Sequence, residues 1–420
     1  MQMIAARRTL SNCLAVVALL AAGCQGGSPP APPAVAAAPP APVAAPLDAG
    51  GERVTFAGGG HTTRLPFALV NHHIYIDAQI DGQLVRLIVD TADVSVLTPA
   101  AVLRLGLSRE RRASDSEVAT GPARARELAI GDVRLAAPVF QVLAFESFSD
   151  VEGEAFDGIV GFELFEQLAV RIDYPASELM LTRFADFAPP AGAIAVPLEL
   201  RDHVPIADGA IDGIPARFQI DTGARTAVTV NSPFVRAHQL EARYHPVFEA
   251  IIAWGAAGEV RAKPVRIGRL TLGDAVVSDV AGQLYTGDRG ELAHPDRAGT
   301  LGGGLLKRFA VTVDEHARTL YLEPGPALPR DVYDRAGMFF LRNGDKIRVA
   351  AVTPNGAAAK AGLAVGDRIV AIDGAPVASR TVAAWREILA GGELGARHVL
   401  SVTNDRGRRD RTLVLRELLP

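Results

Sequence analysis

IYIDAQIDGQLVRLIVDTADVSVL (Ile74–Leu97) and VPIADGAIDGIPARFQIDTGARTAVTV (Val204–Val230) read as two copies of one unit. Each has two alternating apolar runs joined by an Asp-Gly pair, Asp81-Gly82 or Asp212-Gly213. That pair between alternating runs predicts a tight hairpin, because both turn positions call for positive φ. The second run ends at Asp90 or Asp221, eight residues beyond the turn glycine in both copies. Glycines and aspartates share an offset of 131 positions, the signature of an internal duplication.

The copies agree again downstream. DGIVGFELFEQLAVRIDYPASELML, from Asp157, pairs with AGTLGGGLLKRFAVTVDEHARTLYL, from Ala298, at an offset of 141. The increase places roughly ten extra residues in the middle of the second copy, around the Gly/Ala-rich AWGAAGE at Ala253–Glu259. A longer hairpin is expected there, and a shorter one around Thr120-Gly121-Pro122 in the first copy. Many short strands and few helical runs indicate a mainly β architecture. Short helices are expected at Ala100–Leu105, Leu164–Leu168 and Leu305–Phe309.

An Asp-Thr-Gly at a strand end presents a carboxylate on a tight loop, with the Thr hydroxyl free to brace it and the Gly allowing close backbone approach. One such tripeptide is more simply a turn or a helix cap. Two related by duplication would bring Asp90 and Asp221 face to face at the junction of the copies. Adjacent carboxylates cannot both ionise readily, so they share a proton, and the pair can act as base and acid on water and a carbonyl. The copies are unequal. The second reads Asp221-Thr222-Gly223-Ala224, while the first reads Asp90-Thr91-Ala92-Asp93 and adds a third carboxylate. Asp93 should disfavour ionisation of the pair unless it turns to solvent or to a cation such as Arg86.

The strand–DTG–strand unit, followed some seventy residues later by a segment such as GIVG, resembles the retropepsin and pepsin class of aspartic proteases. The match is with the bacterial branch that carries both lobes in one chain and a C-terminal PDZ domain. The resemblance covers about residues 55 to 420. It implies two pseudo-twofold-related β-barrel lobes at 51–190 and 191–328, and an α+β PDZ domain at 335–420. It also implies an aspartic endopeptidase in which Asp90 and Asp221 activate water, without a cofactor or metal. Thr91, Ala92, Thr222 and Gly223 would support the two loops, and Gly158–Gly161 and Gly299–Gly302 would pack beneath them. Hairpins near Gly121 and Gly255 would close over substrate. A peptide-binding scaffold with a degenerate first lobe is the rival reading, and DTAD is the feature that separates the two.

In the last domain, Asn355–Ala358, Ala361–Leu363, Gly366–Ile369 and Ile372–Gly374 carry the PDZ resemblance. It implies that Gly337, Met338, Phe339 and Phe340 form a loop whose N–H groups receive a peptide carboxylate. Phe339–Arg342 is then the expected docking edge, and Trp385, Ile388 and Leu389 line the pocket or belong to the helix core.

Residues 1–23 carry Arg7-Arg8, a short apolar run and Leu20-Ala21-Ala22-Gly23-Cys24, which resembles a lipoprotein signal with Cys24 as the acylated residue. Residues 24–50 are a Pro/Ala-rich tether. The expected setting is the bacterial cell envelope, on a periplasm-facing membrane anchor. Both cysteines of the chain lie in this segment, so no disulfide is expected in the domains. A net charge of −4 argues against a nucleic-acid partner. The resemblance implies polypeptide as the partner and a monomeric active unit. His72 and His73 are adjacent and should diverge on a strand. Asp150, Glu152 and Glu154 read as a solvated acidic turn.

Overall fold

The computed structural model describes residues 53–109, 121–144, 148–255, 258–405 and 407–419. The signal, the tether and Cys24 lie outside these residues, as do Thr120 and most of the loop at the first mid-copy hairpin.

Both Asp-Gly hairpins form. His73–Ile80 pairs antiparallel with Gln83–Val89, and Val204–Ile211 with Ile214–Asp221. The turn residues take the positive φ that the sequence demands, 50° and 80° at Asp81-Gly82 and 46° and 83° at Asp212-Gly213. Both positive values suit the right-handed twist of the flanking strands. Short inner strands then lie parallel to each hairpin's second strand, Gly158–Val160 beside Leu87–Val89 and Gly299–Gly302 beside Phe218–Asp221. Their glycines are required by space. A Cβ on Gly158 would stand 2.0 Å from the Val96 carbonyl oxygen, and one on Gly299 2.3 Å from that of Thr229.

Among the described residues the strands assemble into sheets of eleven, thirteen and six. The thirteen-stranded sheet runs from one copy into the other. Ala169–Asp173 of the first pairs with Phe309–Asp314 of the second, with Val170 opposite Val313. Thr62–Pro66 and Glu178–Thr182 extend it on the first-copy side. One apolar cluster, including Ile76, Leu87, Phe165, Phe218, Leu301 and Val313, accordingly fills both halves without a break. The junction that seats the two aspartates is therefore stiffened by sheet as well as by side chains.

Helices fall close to expectation with informative shifts. Pro99–Leu105 forms, capped by the Thr98 hydroxyl, which accepts from the Ala101 N–H at 3.1 Å. The helix expected at Leu164–Leu168 lies at Phe162–Phe165, and its counterpart at Gly303–Leu306. Extended glycines, Gly161 and Gly302, start these helices early, and strands begin at Ala169 and Phe309. Phe148–Glu152 is a helix that the acidic composition concealed.

The C-terminal domain has its own core, built on Met338, Phe340, Ile369, Trp385 and Leu400 among others. Met338–Asn343 is the edge strand of the six-stranded sheet, and Val382–Ala390 is the helix beside it.

Candidate active site

The two aspartate loops are locked by a reciprocal set of four hydrogen bonds. The Thr91 N–H donates to Thr222 Oγ1 and the Thr222 N–H to Thr91 Oγ1, each at 3.1 Å. Thr91 Oγ1 in turn donates to the Ile220 carbonyl and Thr222 Oγ1 to the Val89 carbonyl, each at 2.8 Å. Both threonines are fully buried, so the bonds exchange no partner with water. Each loop thus grips the backbone of the strand that carries the other aspartate.

Asp90 reaches across this seam. A Cβ on Gly223 would lie 1.8 Å from Asp90 Oδ2, so the second loop's glycine faces the first loop's carboxylate. Asp90 Oδ1 accepts from the Ala92 N–H at 2.8 Å. Asp221 is held by a line of polar side chains that the motif search did not reach. Gln219 Nε2 donates to Asp221 Oδ2 at 3.0 Å, Arg297 donates to Gln219 Oε1 at 2.5 Å, and Glu291 accepts from Arg297 at 2.6 Å. Gln219 was findable: two residues before Asp221 on a strand, it shares that residue's face. Arg297 and Glu291 come from a distant loop and carry no local signal. In the first lobe, Glu163 accepts from Ser95 Oγ at 2.7 Å, and Ser95 Oγ accepts from the Gly161 N–H at 3.0 Å.

Asp90, Asp93 and Asp221 share the wall of a cleft of about 550 Å³ between the copies. Ala253 and Trp254, from the hairpin of Ala250–Gly255 and Gly258–Leu272, line it from above.

An aspartyl protease family model matches residues 76–164 and again 207–304, and a PDZ domain model matches residues 348–404. The chain carries a duplicated aspartyl-protease-like domain and a PDZ domain. A crystal structure of a retropepsin-like aspartic protease from Rickettsia conorii aligns at 21% identity over 31% of this chain and 89% of its own, with a TM-score of 0.24. A search of curated proteins by sequence gave no match.

Burial raises both aspartates of the protease-like lobes. Asp90 is pushed well above the ordinary carboxylate value by burial first, then by the charges of Asp221 and Asp93. Asp221 is also raised by burial, against the donation from Gln219 and the backbone N–H groups of Ala224 and Gly223. Asp93 is pushed up to about 6, by burial and then by Asp221, Glu163 and Glu291. Its own carboxylate accepts from the Val94 N–H at 2.7 Å, while Arg86 lies over the Tyr75 ring at 5.4 Å. Asp93 thus faces the cleft among other acids and does not turn to Arg86.

The two histidines diverge. His72 meets the Arg225 carbonyl at 2.8 Å and Lys307 Nζ at 2.9 Å, and burial with the Lys307 charge lowers it to about 4. His73 points to Glu152 at 3.4 Å. Among the described residues no cluster of three His, Cys, Asp or Glu side chains is arranged to hold a metal ion.

The reading of Asp150, Glu152 and Glu154 as a solvated acidic turn is corrected at Glu152, while Asp150 is exposed. Glu152 is only 2% exposed and meets His73 and Arg225, with Asn71 donating to it at 3.1 Å. Burial alone would raise its pKa, but Arg225, His73 and Arg386 outweigh that and hold it far below the usual range.

The PDZ residues divide between core and rim. Trp385 and Leu389, expected at the pocket, sit in the domain core, with the Trp385 ring N–H donating to the Val377 carbonyl at 2.9 Å. They share a helix stripe with Val382, three and seven residues on, which faces the sheet. Arg386, on the next stripe, faces the groove in their place. Met338 and Phe340 point into the core, whereas Phe339 turns outward and stacks on Trp254 at 6.3 Å. The Gly337 N–H, expected with that of Met338 to receive a peptide carboxylate, donates instead to the Asp334 carboxylate at 3.2 Å.

Proposed function

We propose that this protein is an envelope aspartic endopeptidase that hydrolyses peptide bonds with water activated between Asp90 and Asp221. The observation that carries the reading is the reciprocal Thr91–Thr222 lock, which sets the buried Asp90 and the half-buried Asp221 at one seam on the wall of the cleft. Raised pKa values in both acids suit a pair that holds one proton between them near neutral to mildly acidic pH.

Gln219 favours the ionised form at Asp221, and the neighbouring charges of Asp221 and Asp93 favour the protonated form at Asp90. Asp221 then takes a proton from water as the water oxygen attacks the scissile carbonyl carbon. Asp90 gives its proton to the carbonyl oxygen, forming a gem-diol. The C–N bond breaks as the nitrogen receives the proton held by Asp221, and a diol hydroxyl returns its proton to Asp90. Products are a carboxylic acid and an amine, and both carboxyl groups regain their starting states. Trp254 and its hairpin would help exclude water from the bound peptide.

Cys24 would anchor the chain by lipid to a membrane of the envelope, with polypeptide recruited by the PDZ domain at residues 335–420 and a single chain as the active unit. The rival reading, a peptide-binding scaffold, draws on Ala92 and Asp93. Signal-free protein offered a peptide mixture between pH 3 and 8 tests the choice. Cleavage lost in both Asp90→Asn and Asp221→Asn supports the peptidase, and no cleavage by the intact pair refutes it.

A further inference from the structure

The peptide groove of the PDZ domain already holds a piece of the protein. A PDZ groove lies between an edge strand and a helix, here Met338–Asn343 and Val382–Ala390, and an extended or helical segment seated there meets both. The Phe148–Glu152 helix of the first lobe packs against both of these elements. Gly153, at its end, fits tightly against the start of the PDZ helix. A Cβ there would lie 2.7 Å from Val382 Cβ and 2.8 Å from the Ala383 nitrogen, and φ at Gly153 is +79°.

Arg386 ties the two partners together. Its guanidinium donates to the Phe340 carbonyl of the edge strand at 2.8 Å and to the Glu152 carbonyl of the seated segment at 3.5 Å. Phe339 is covered as well, by Arg225 at 5.2 Å, Arg386 at 5.4 Å and the Trp254 ring. The anion site at the end of the groove is also filled from within. Asp334 accepts from the Gly337 N–H at 3.2 Å, and its burial pushes it to about 7. An arriving C-terminal carboxylate finds that donor engaged.

We propose that residues 148–153 are an internal ligand of the PDZ domain, which latches the wall of the catalytic cleft until a competing polypeptide displaces them. The coupling runs through Glu152. Its side chain meets His73 at 3.4 Å and Arg225 at 3.4 Å, and all three residues line the cleft. Trp254, on the hairpin over the cleft, is stacked on Phe339 of the groove. A segment that leaves the groove therefore takes a buried counter-charge away from the cleft wall. Polypeptide that enters the groove thus acts on the cleft, and is not merely held beside it. This inference rests on the peptidase reading for its consequence, but the latch itself is tested without any cleavage.

Hydrogen exchange on signal-free, otherwise full-length protein reads the latch directly. Gly153→Val places a side chain where none fits, and Arg386→Met removes the bridging donors. In either variant, the amides of residues 148–154 and of Met338–Asn343 are expected to exchange at least tenfold faster, while those of the Thr91 and Thr222 loops keep their protection. A fluorescent peptide with the sequence of residues 148–156, FSDVEGEAF, should bind Gly153→Val at least tenfold more tightly than it binds the wild type. Unchanged exchange of the two groove segments in both variants overturns the proposal, as does equal peptide binding by the wild type and Gly153→Val. Should Gly153→Val lose protection throughout the chain, Arg386→Met decides alone. If the latch opens as expected and no variant cleaves peptide at any pH, the peptidase reading fails and the latch stands.

Discussion

Replacing Gly223 by alanine adds one methyl group to the protein and directs it at Asp90. The new Cβ would stand 1.8 Å from Asp90 Oδ2 and 2.4 Å from Cγ. Ordinary contacts need about 3.5 Å, so the carboxylate or the loop must give way by roughly 1.5 Å. The threonine lock opposes loop movement, since its four hydrogen bonds are buried and any slip leaves donors unpaired. The carboxylate therefore moves, and misplacement by about 1 Å in a catalytic constellation costs on the order of a hundredfold. We expect kcat/KM of Gly223→Ala to fall by roughly two to three orders of magnitude, about 3–4 kcal/mol in transition-state stabilisation. Overpacking costs about 1–3 kcal/mol of stability, which leaves a folded protein. The assay is kcat/KM on a peptide cleaved by the wild type, with denaturant unfolding in parallel and Asp90→Asn as the reference for full loss. A folded Gly223→Ala within threefold of wild-type kcat/KM refutes the argument, because Asp90 would then work from a position the methyl group forbids.

Asp93→Asn removes one of the charges that raise Asp90, so the alkaline limb of the pH–rate profile, set by Asp90, should move to lower pH; a limb that stays put or moves upward would show that Asp93 does not act on Asp90. Thr91→Val deletes the hydroxyl that donates to Ile220 and accepts from Thr222, leaving a buried N–H and a buried carbonyl without partners. A loss of about 2–5 kcal/mol is expected in denaturant unfolding, largely restored by Thr91→Ser. Glu315 is pushed up to about 8 by burial and then by Glu166. Its folded pKa lies above the unfolded value of about 4.3, so its contribution is fully present below pH 4 and is lost as pH rises to 8. Glu315→Gln should flatten the fall in unfolding free energy over that window, and an unchanged slope would contradict the assignment.

How far local rules carry is visible in single residues. Asp81-Gly82 and Asp212-Gly213 were legible because a two-residue turn between twisted strands needs positive φ, a demand met within four residues. Gln219 was legible in principle from strand alternation. Helix starts at Phe162 and Gly303 were misread by a few residues, because the chain's apolar pattern does not say where an extended glycine releases it into a helix. Trp385 and Leu389 were apolar residues on a helix, and pattern alone does not distinguish a helix stripe lining a pocket from one closing a core.

Taken alone, the amino-acid sequence determined the duplication, the hairpins, the mainly β architecture and the pairing of Asp90 with Asp221 by repeat register. Those features follow from contacts short in sequence or repeated at a constant offset. The tertiary structure decided the state of the charges. Glu152 looked solvated because its neighbours in sequence are polar, yet it meets Arg225 from 73 residues away, and its carbonyl meets Arg386 from 234 residues away. Asp93 faces other acids for the same kind of reason, since Glu163 arrives on the Phe162–Phe165 helix and Glu291 from a segment far along the chain. The cost or benefit of a charge depends on which groups and how much water surround it, and long-range packing alone assembles that surrounding.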